Sequence, residues 1–346
     1  MSARFRQTVR YPMQTAPALA HVWRGDFLEC VHRGHAVIAD ATGQAVEAWG
    51  DPDLTLLPRS STKMIQALPL LDSGAADARG LTPEHLALAC ASHEGDRMHT
   101  DRVTRWLADL GLADDALRCG PQPPRPTDIR HEMIRTGESP CQVHNNCSGK
   151  HTGFLTLGAH LGAGPDYIDI NHPVQRAVKT AFEEVTGEDS PGFGIDGCSA
   201  PNFATSLKGL ARAMAFFATA EKRSDARSAA ARRLTQAMIA HPELVAGTGR
   251  ACTELMQAMD GRAAIKTGAE GVFVAILPDR GLGIALKIED GATRGAECAI
   301  AALLALVGVL DPAHPAAQKR LNAPITNWRG VHTGHICPAD DLLHGP

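Results

Sequence analysis

The sequence predicts an α+β protein in which an antiparallel sheet is flanked by helices. Three observations carry this. Strand patterns fall near the start of the chain, at residues 20–50. Two more fall late, at Val272–Leu277 and Gly283–Ile288, around the turn Pro278-Asp279-Arg280-Gly281. The long middle is helical in pattern, so distant segments must pair to build one sheet with helices packed on it.

The first strands, His35–Asp40 and Ala45–Trp49, flank Ala41-Thr42-Gly43-Gln44, a hairpin signal. Helical spacing follows at about 61–73, 82–91 and 99–110. Thr82-Pro83 is a good helix start, with threonine as cap and proline at the first position. Residues 120–146 are rich in Pro, Arg, His and Asn and predict a long irregular loop. Further helices are predicted at about 149–162, 173–186, 202–220, 226–240 and 293–310, and the tail from Asp311 is weakly patterned. The chain is expected to be a single catalytic domain, 1–346, with an all-helical subregion at about 61–250.

At 346 residues, 44% of them hydrophobic, the chain can bury a large core. The net charge of −4 and the lack of a basic cluster argue against nucleic acid. No apolar stretch is long enough to span a membrane, and a cytoplasmic enzyme is expected. The nine cysteines are scattered without any Cys-x-x-Cys, so they read as free thiols rather than a zinc ribbon or a disulfide framework.

Five segments look chemical. Arg59-Ser60-Ser61-Thr62-Lys63 holds the one Ser-x-x-Lys, three residues apart and therefore on one face if helical. A serine hydroxyl needs a base to become a nucleophile, and a buried neutral lysine can be that base. Cys90-Ala91-Ser92-His93-Glu94-Gly95-Asp96 is a polar helix exit in which Ser92 is a second candidate hydroxyl or part of a C-terminal turn. Asn146-Cys147-Ser148-Gly149-Lys150-His151 precedes a helix, and Cys147 there is a nucleophile, a metal ligand or a capping-region thiol. Asp196, in Gly194-Ile195-Asp196-Gly197-Cys198, can accept from a substrate ammonium or bond its own turn. Lys266-Thr267-Gly268 matches the third motif of serine β-lactamases and penicillin-binding proteins, but their Ser-Asp-Asn element is missing.

In this order, the five segments resemble those of the class 3, rhizobial-type (thermolabile) L-asparaginases of the asparaginase II family. The resemblance runs from about Val22-Trp23-Arg24-Gly25 to the helix after Asp290-Gly291. It implies a fold similar to serine β-lactamases and glutaminases, hydrolysis of L-asparagine to L-aspartate and ammonia, and a homodimer. By position, Ser60 with Lys63 and Ser92 with Lys266 look like the family's two Ser-Lys pairs. Cys147, Lys150 and Cys198 look like its zinc ligands, and Arg59 and Asp196, with His93, like its substrate-binding groups. The chain departs at Leu28-Glu29-Cys30, where Val-Glu-Ser is common, and at Ser92-His93-Glu94-Gly95-Asp96, where Ser-His-Ser-Gly-Glu is commoner, and both are expected to edge the pocket. The nearest rival is a glutaminase or another serine amidohydrolase; more distant ones are a non-catalytic amino-acid or metal-binding protein and a nitrilase-like enzyme with Cys147 as nucleophile.

Overall fold

The computed structural model describes residues 16–344. Eight strands form one antiparallel sheet: β1 (Ala18–Arg24), β2 (Phe27–Ala39), β3 (Ala45–Trp49), β4 (Ala264–Thr267), β5 (Val272–Leu277), β6 (Leu282–Ile288), β7 (Ala323–Thr326) and β8 (His332–Pro338). Their order is β7-β8-β1-β2-β6-β5-β4, with β3 also paired to β2. Strand β2 is long enough to serve two sets of partners. Its first half pairs with β1, and from Gly34 onward it pairs with β6 and β3. Gly34 marks the changeover, because a Cβ there would lie 2.3 Å from the Lys287 carbonyl oxygen.

The helices named below are α1 (Pro83–Ala89), α2 (Arg97–Asp109), α3 (Thr127–Thr136), α4 (Ser148–His160), α5 (Pro173–Thr186), α6 (Leu207–Ala218), α7 (Ala226–Ala240), α8 (Ala251–Ala258), α9 (Thr293–Leu306) and α10 (Pro315–Leu321). Every residue of β5 is buried, so both its faces are covered. Helices α6 and α9 both pack on it. Contact between α6 and β6 is close enough to demand Gly283, where a Cβ would meet Ala211 O at 2.3 Å and Ala215 N at 2.1 Å.

The early hairpin, the flanking helices and the two late strands lie where periodicity puts them. Other segments differ. The stretch 61–73 is not one helix but the 3₁₀ turn Arg59–Thr62, then Lys63–Gln66 and Leu68–Asp72, with Pro69 opening a new turn. The segment 120–146 carries α3, a helix with Met133 as its one buried residue and therefore little apolar periodicity. The start of the predicted helix 202–220 is instead two short strands, Pro201–Phe203 and Thr205–Ser206, paired to Phe193–Ile195 and Thr55–Leu56. The subregion 61–250 is thus helical but not all-helical. The tail supplies α10, β7 and β8, and β8 pairs with β1 from Ala20 to Arg24. Strands of four to seven residues with mixed burial give too short a pattern to read.

Candidate active site

Three distant segments meet at one hydroxyl. The first is the turn 59–63. Pro58 opens it, and Arg59 takes a left-handed φ of 56°, an uncommon state for a side-chain-bearing residue. Ser61 Oγ donates to Pro58 O at 2.7 Å and Thr62 Oγ1 to Arg59 O at 3.1 Å, which locks the turn. Among the described residues Ser60 Oγ has no protein hydrogen bond, and Ser60 is half-buried. Lys63 is fully buried, so its ammonium donors need buried acceptors. They are the carbonyl of Ala91, Ser92 Oγ at 3.0 Å and the Asn146 carbonyl at 3.4 Å.

The second segment is the exit from α1, where Ser92 N–H donates to Val245 O at 2.9 Å. The third is β4. Lys266 Nζ donates to Ser92 Oγ at 2.7 Å and to Thr267 O at 2.9 Å. Gly268 lets β4 approach the first turn, since a Cβ there would sit 2.6 Å from Pro58 O. Cys252 Sγ of α8 accepts the Thr267 N–H at 3.3 Å and steadies the same strand. Both lysines therefore converge on Ser92. The expected Ser92–Lys266 pair is present, whereas the amine expected on Ser60 is drawn inward to Ser92. Burial, then the neighbouring Lys63, pushes the Lys266 ammonium down to about 7. A neutral Lys266 can accept the Ser92 proton, and the Ser92 oxygen still has room for a donor from Lys63.

Arg59 and Asp196 bond each other. Asp196 Oδ1 accepts from Arg59 Nε at 2.9 Å, from Arg59 Nη2 at 2.7 Å and from Gly197 N at 2.7 Å. The second carboxylate oxygen takes no hydrogen bond among the described residues. Arg59 also lines a groove of about 260 Å³ with Leu54–Leu57, Glu270, Lys287 and Glu289. A cation and an anion side by side at a groove suit a zwitterionic ligand.

His93 differs from expectation. Its Nδ1 accepts from Gly95 N at 3.0 Å and its Nε2 meets Ser148 Oγ at 2.8 Å. Burial first, then His99 and Lys63, hold it well below the usual histidine range. Both ring nitrogens are used by the protein, so His93 braces the Ser92 loop and has no ring nitrogen left over for a ligand. Glu94 and Asp96 do not edge the Arg59 groove. Asp96 caps α2 through Met98 N at 2.9 Å, and Glu94 faces another cavity. Glu29 is taken up in an exposed ion pair with Arg24 at 2.9 Å.

Beside Lys63, Cys147, Lys150 and Cys198 form one buried cluster, each 3% exposed. Lys150 Nζ donates to Cys198 Sγ at 3.1 Å, and Cys147 Sγ donates to Asn146 Oδ1 at 2.9 Å. The neighbouring Cys147 thiol, helped by Lys150 and His151, holds Cys198 well below the usual thiol range. Cys147, which keeps its proton, is pushed up by the adjacent Cys198 and by burial. Burial works to lower the Lys150 ammonium, but the Cys198 and Cys147 sulfurs outweigh it and raise it. The donors fit a thiophilic cation such as zinc. Loading would first have to remove the protons of Lys150 and Cys147. Among the described residues no group of three His, Cys, Asp or Glu is placed to hold a metal, so lysine would be an essential ligand. His151 adjoins the cluster. Its Nδ1 meets Tyr167 Oη at 2.9 Å, and burial lowers it to about 4. The roles of Asn146, His151, Gly268 and Cys252 were not legible in the sequence, although Asn146, His151 and Gly268 lie inside segments it singles out.

The family model described as L-asparaginase II matches residues 20–338. The chain belongs to the L-asparaginase II family. Membership makes it an amidohydrolase, and no helix among the described residues is long and apolar enough to cross a membrane. No curated protein sequence matches the chain. Among solved structures, the native form of Mglu is 14% identical, with 86% of this chain and 70% of that chain covered at a TM-score of 0.45. A β-lactamase from Mycobacterium bovis is 14% identical over 79% of this chain and 94% of that chain, with a TM-score of 0.45. A putative β-lactamase from Bacteroides dorei is 12% identical over 74% and 84%, with a TM-score of 0.41. Likeness of this size carries no argument about the chemistry.

Proposed function

We propose that this family member is an L-asparaginase of the class 3, rhizobial type, which hydrolyses L-asparagine to L-aspartate and ammonia. The observation that carries the reading is the convergence of two buried lysine amines on Ser92 Oγ, next to a turn that presents Ser60 and the Arg59–Asp196 pair. Asparagine binds with its α-carboxylate on Arg59 and its α-ammonium on Asp196, opening their mutual ion pair. Ser60 Oγ attacks the amide carbon and gives its proton to the Lys63–Ser92–Lys266 relay. The relay returns a proton to the nitrogen as the C–N bond breaks and ammonia leaves. Water then attacks the acyl ester, and aspartate is released with Ser60 restored. Cys147, Lys150 and Cys198 would hold zinc, which when bound would supply a Lewis acid for orienting substrate.

The test is ammonia release from asparagine, glutamine and, with its own readout, a chromogenic β-lactam. Release from asparagine alone, lost in Ser60→Ala, supports the reading. Equal kcat/KM for asparagine and glutamine favours a glutaminase.

A further inference from the structure

The departure at Glu94 opens a second question. Glu94 lies on the floor of a cavity of about 690 Å³, separate from the Arg59 groove. Its walls are the first turn of α2 with Arg97, the α3 residues Ile129 and Glu132, Arg125 before that helix, and Thr248. The two cavities share no residue. Glu94 is 10% exposed, and no donor among the described residues hydrogen-bonds its carboxylate. Two guanidinium groups flank Glu94 Oε1 beyond hydrogen-bond range, Arg250 at 3.7 Å and Arg125 at 4.0 Å. Gly247, with φ of 122°, makes space for the carboxylate, because a Cβ there would come within 2.6 Å of Glu94 Cγ. The remaining charges are already engaged or exposed: Asp96 caps α2 and bonds His99, Arg97 pairs with Glu132 at 3.1 Å, and Asp128 is exposed.

A nearly buried, unbonded carboxylate flanked by two guanidinium groups is half of a zwitterion site. A lone cation would be repelled by the two arginines, and a lone anion by Glu94. A molecule that carries an ammonium and a carboxylate close together satisfies both. We propose that this cavity is a second binding site for a small α-amino acid, its ammonium on Glu94 and its carboxylate on Arg125, with Arg250 behind Glu94 adding positive charge. The site is tied to the reaction centre by the backbone. Arg125 N–H donates to Glu94 O at 2.8 Å, and Glu94 is two residues from Ser92. An occupant that grips Arg125 and Glu94 together restrains the Ser92 loop, so occupancy is expected to change turnover.

The experiment is equilibrium dialysis with labelled L-aspartate on the full chain carrying Asp196→Ala, which disables the ammonium anchor of the reacting site. Saturable binding of one equivalent is expected, weakened at least tenfold by Glu94→Gln and by Arg125→Ala. Ile129→Trp fills the cavity from α3 without touching either anchor and should also block binding. Succinate, which lacks the ammonium, should not displace the label. The proposal is overturned if no saturable binding occurs, if Ile129→Trp binds as well as its parent, or if succinate competes as well as aspartate. None of these outcomes depends on whether asparagine is the substrate.

Discussion

Replacing Lys266 with methionine should stabilise the protein at mildly acid pH while removing activity. Lys266 is 1% exposed, and burial holds its ammonium at about 7 instead of 10.5. At about 1.4 kcal/mol per pH unit, charging it inside the fold is about 5 kcal/mol harder than in the unfolded chain. The sign follows from proton binding. The unfolded chain takes up this proton below pH 10.5, and the folded chain only below about 7. Stability therefore falls as pH drops from 10.5 to 7 and is level below that. Methionine removes the whole penalty but forfeits the bonds to Ser92 Oγ and Thr267 O, about 1 kcal/mol each. Lys63 continues to bond Ser92, so no buried hydroxyl is orphaned. The Lys266→Met variant should exceed the parent by about 3 kcal/mol at about pH 6 and trail it by about 1 kcal/mol at about pH 10. Urea denaturation of both proteins at about pH 6, 8 and 10 measures the difference, in which all groups common to the two cancel. A difference constant across that range, or a parent more stable than Lys266→Met at the acid end, would refute the reasoning. The same titration predicts an acid limb near pH 7 in the parent's kcat/KM, since the neutral amine is the working form.

The two serines should separate by stability although both substitutions abolish turnover. Ser60→Ala should alter stability by less than about 0.5 kcal/mol, because its hydroxyl has no protein partner, whereas Ser92→Ala removes an acceptor shared by two buried lysines and should cost about 1–3 kcal/mol. Gly268→Ala forces a methyl to within 2.6 Å of Pro58 O, and should lower kcat with a stability loss of about 1–3 kcal/mol in denaturant titrations. Asp196→Ala should raise KM for asparagine far more than it lowers kcat, and should narrow the preference over glutamine that is expected of the parent in steady-state assays. Elemental analysis should find zinc in the parent and none in Cys147→Ser or Cys198→Ser; unchanged zinc content would return both thiols to a structural role.

Short polar motifs are easier to pick out than short strands. Ser-x-x-Lys, Ser92, the Cys-x-x-Lys segment, Asp196 and Lys266 were visible because short polar motifs stand out against an apolar chain. Their partners were less visible. Three-residue spacing predicted Lys63 on Ser60, but spacing records the helix face and not where a buried ammonium must find acceptors. Those acceptors, Ala91 O, Ser92 Oγ and Asn146 O, come from segments 28 and more residues away. His93 looked like a ligand group from its position beside Ser92, and only its bonds to Ser148 and Gly95 reveal a brace. In the fold, the hairpin and the long amphipathic helices were readable. Strands β4, β7 and β8 were not, because β4 and β7 are four-residue strands and β8 owes its place partly to β1 at the other end of the chain.

The sheet explains why Lys266 can be unprotonated at all. Lys266 sits on β4, an edge strand, yet it is buried because the turn 59–62 and helices α7 and α8 pack against that strand while its amine reaches in to Ser92. The cover depends on Gly268, which admits Pro58, and on Val245 O, which holds Ser92 N–H at 2.9 Å. Those contacts exclude water from Lys266 and set Lys63 against it, the two causes of its lowered affinity for a proton. A hydroxyl between two amines, one of them neutral, can pass a proton in either direction. The same close packing that completes the core at the sheet edge would thus prepare the proposed relay, and loosening it at Gly268 should move the acid limb of kcat/KM upward as water returns to Lys266.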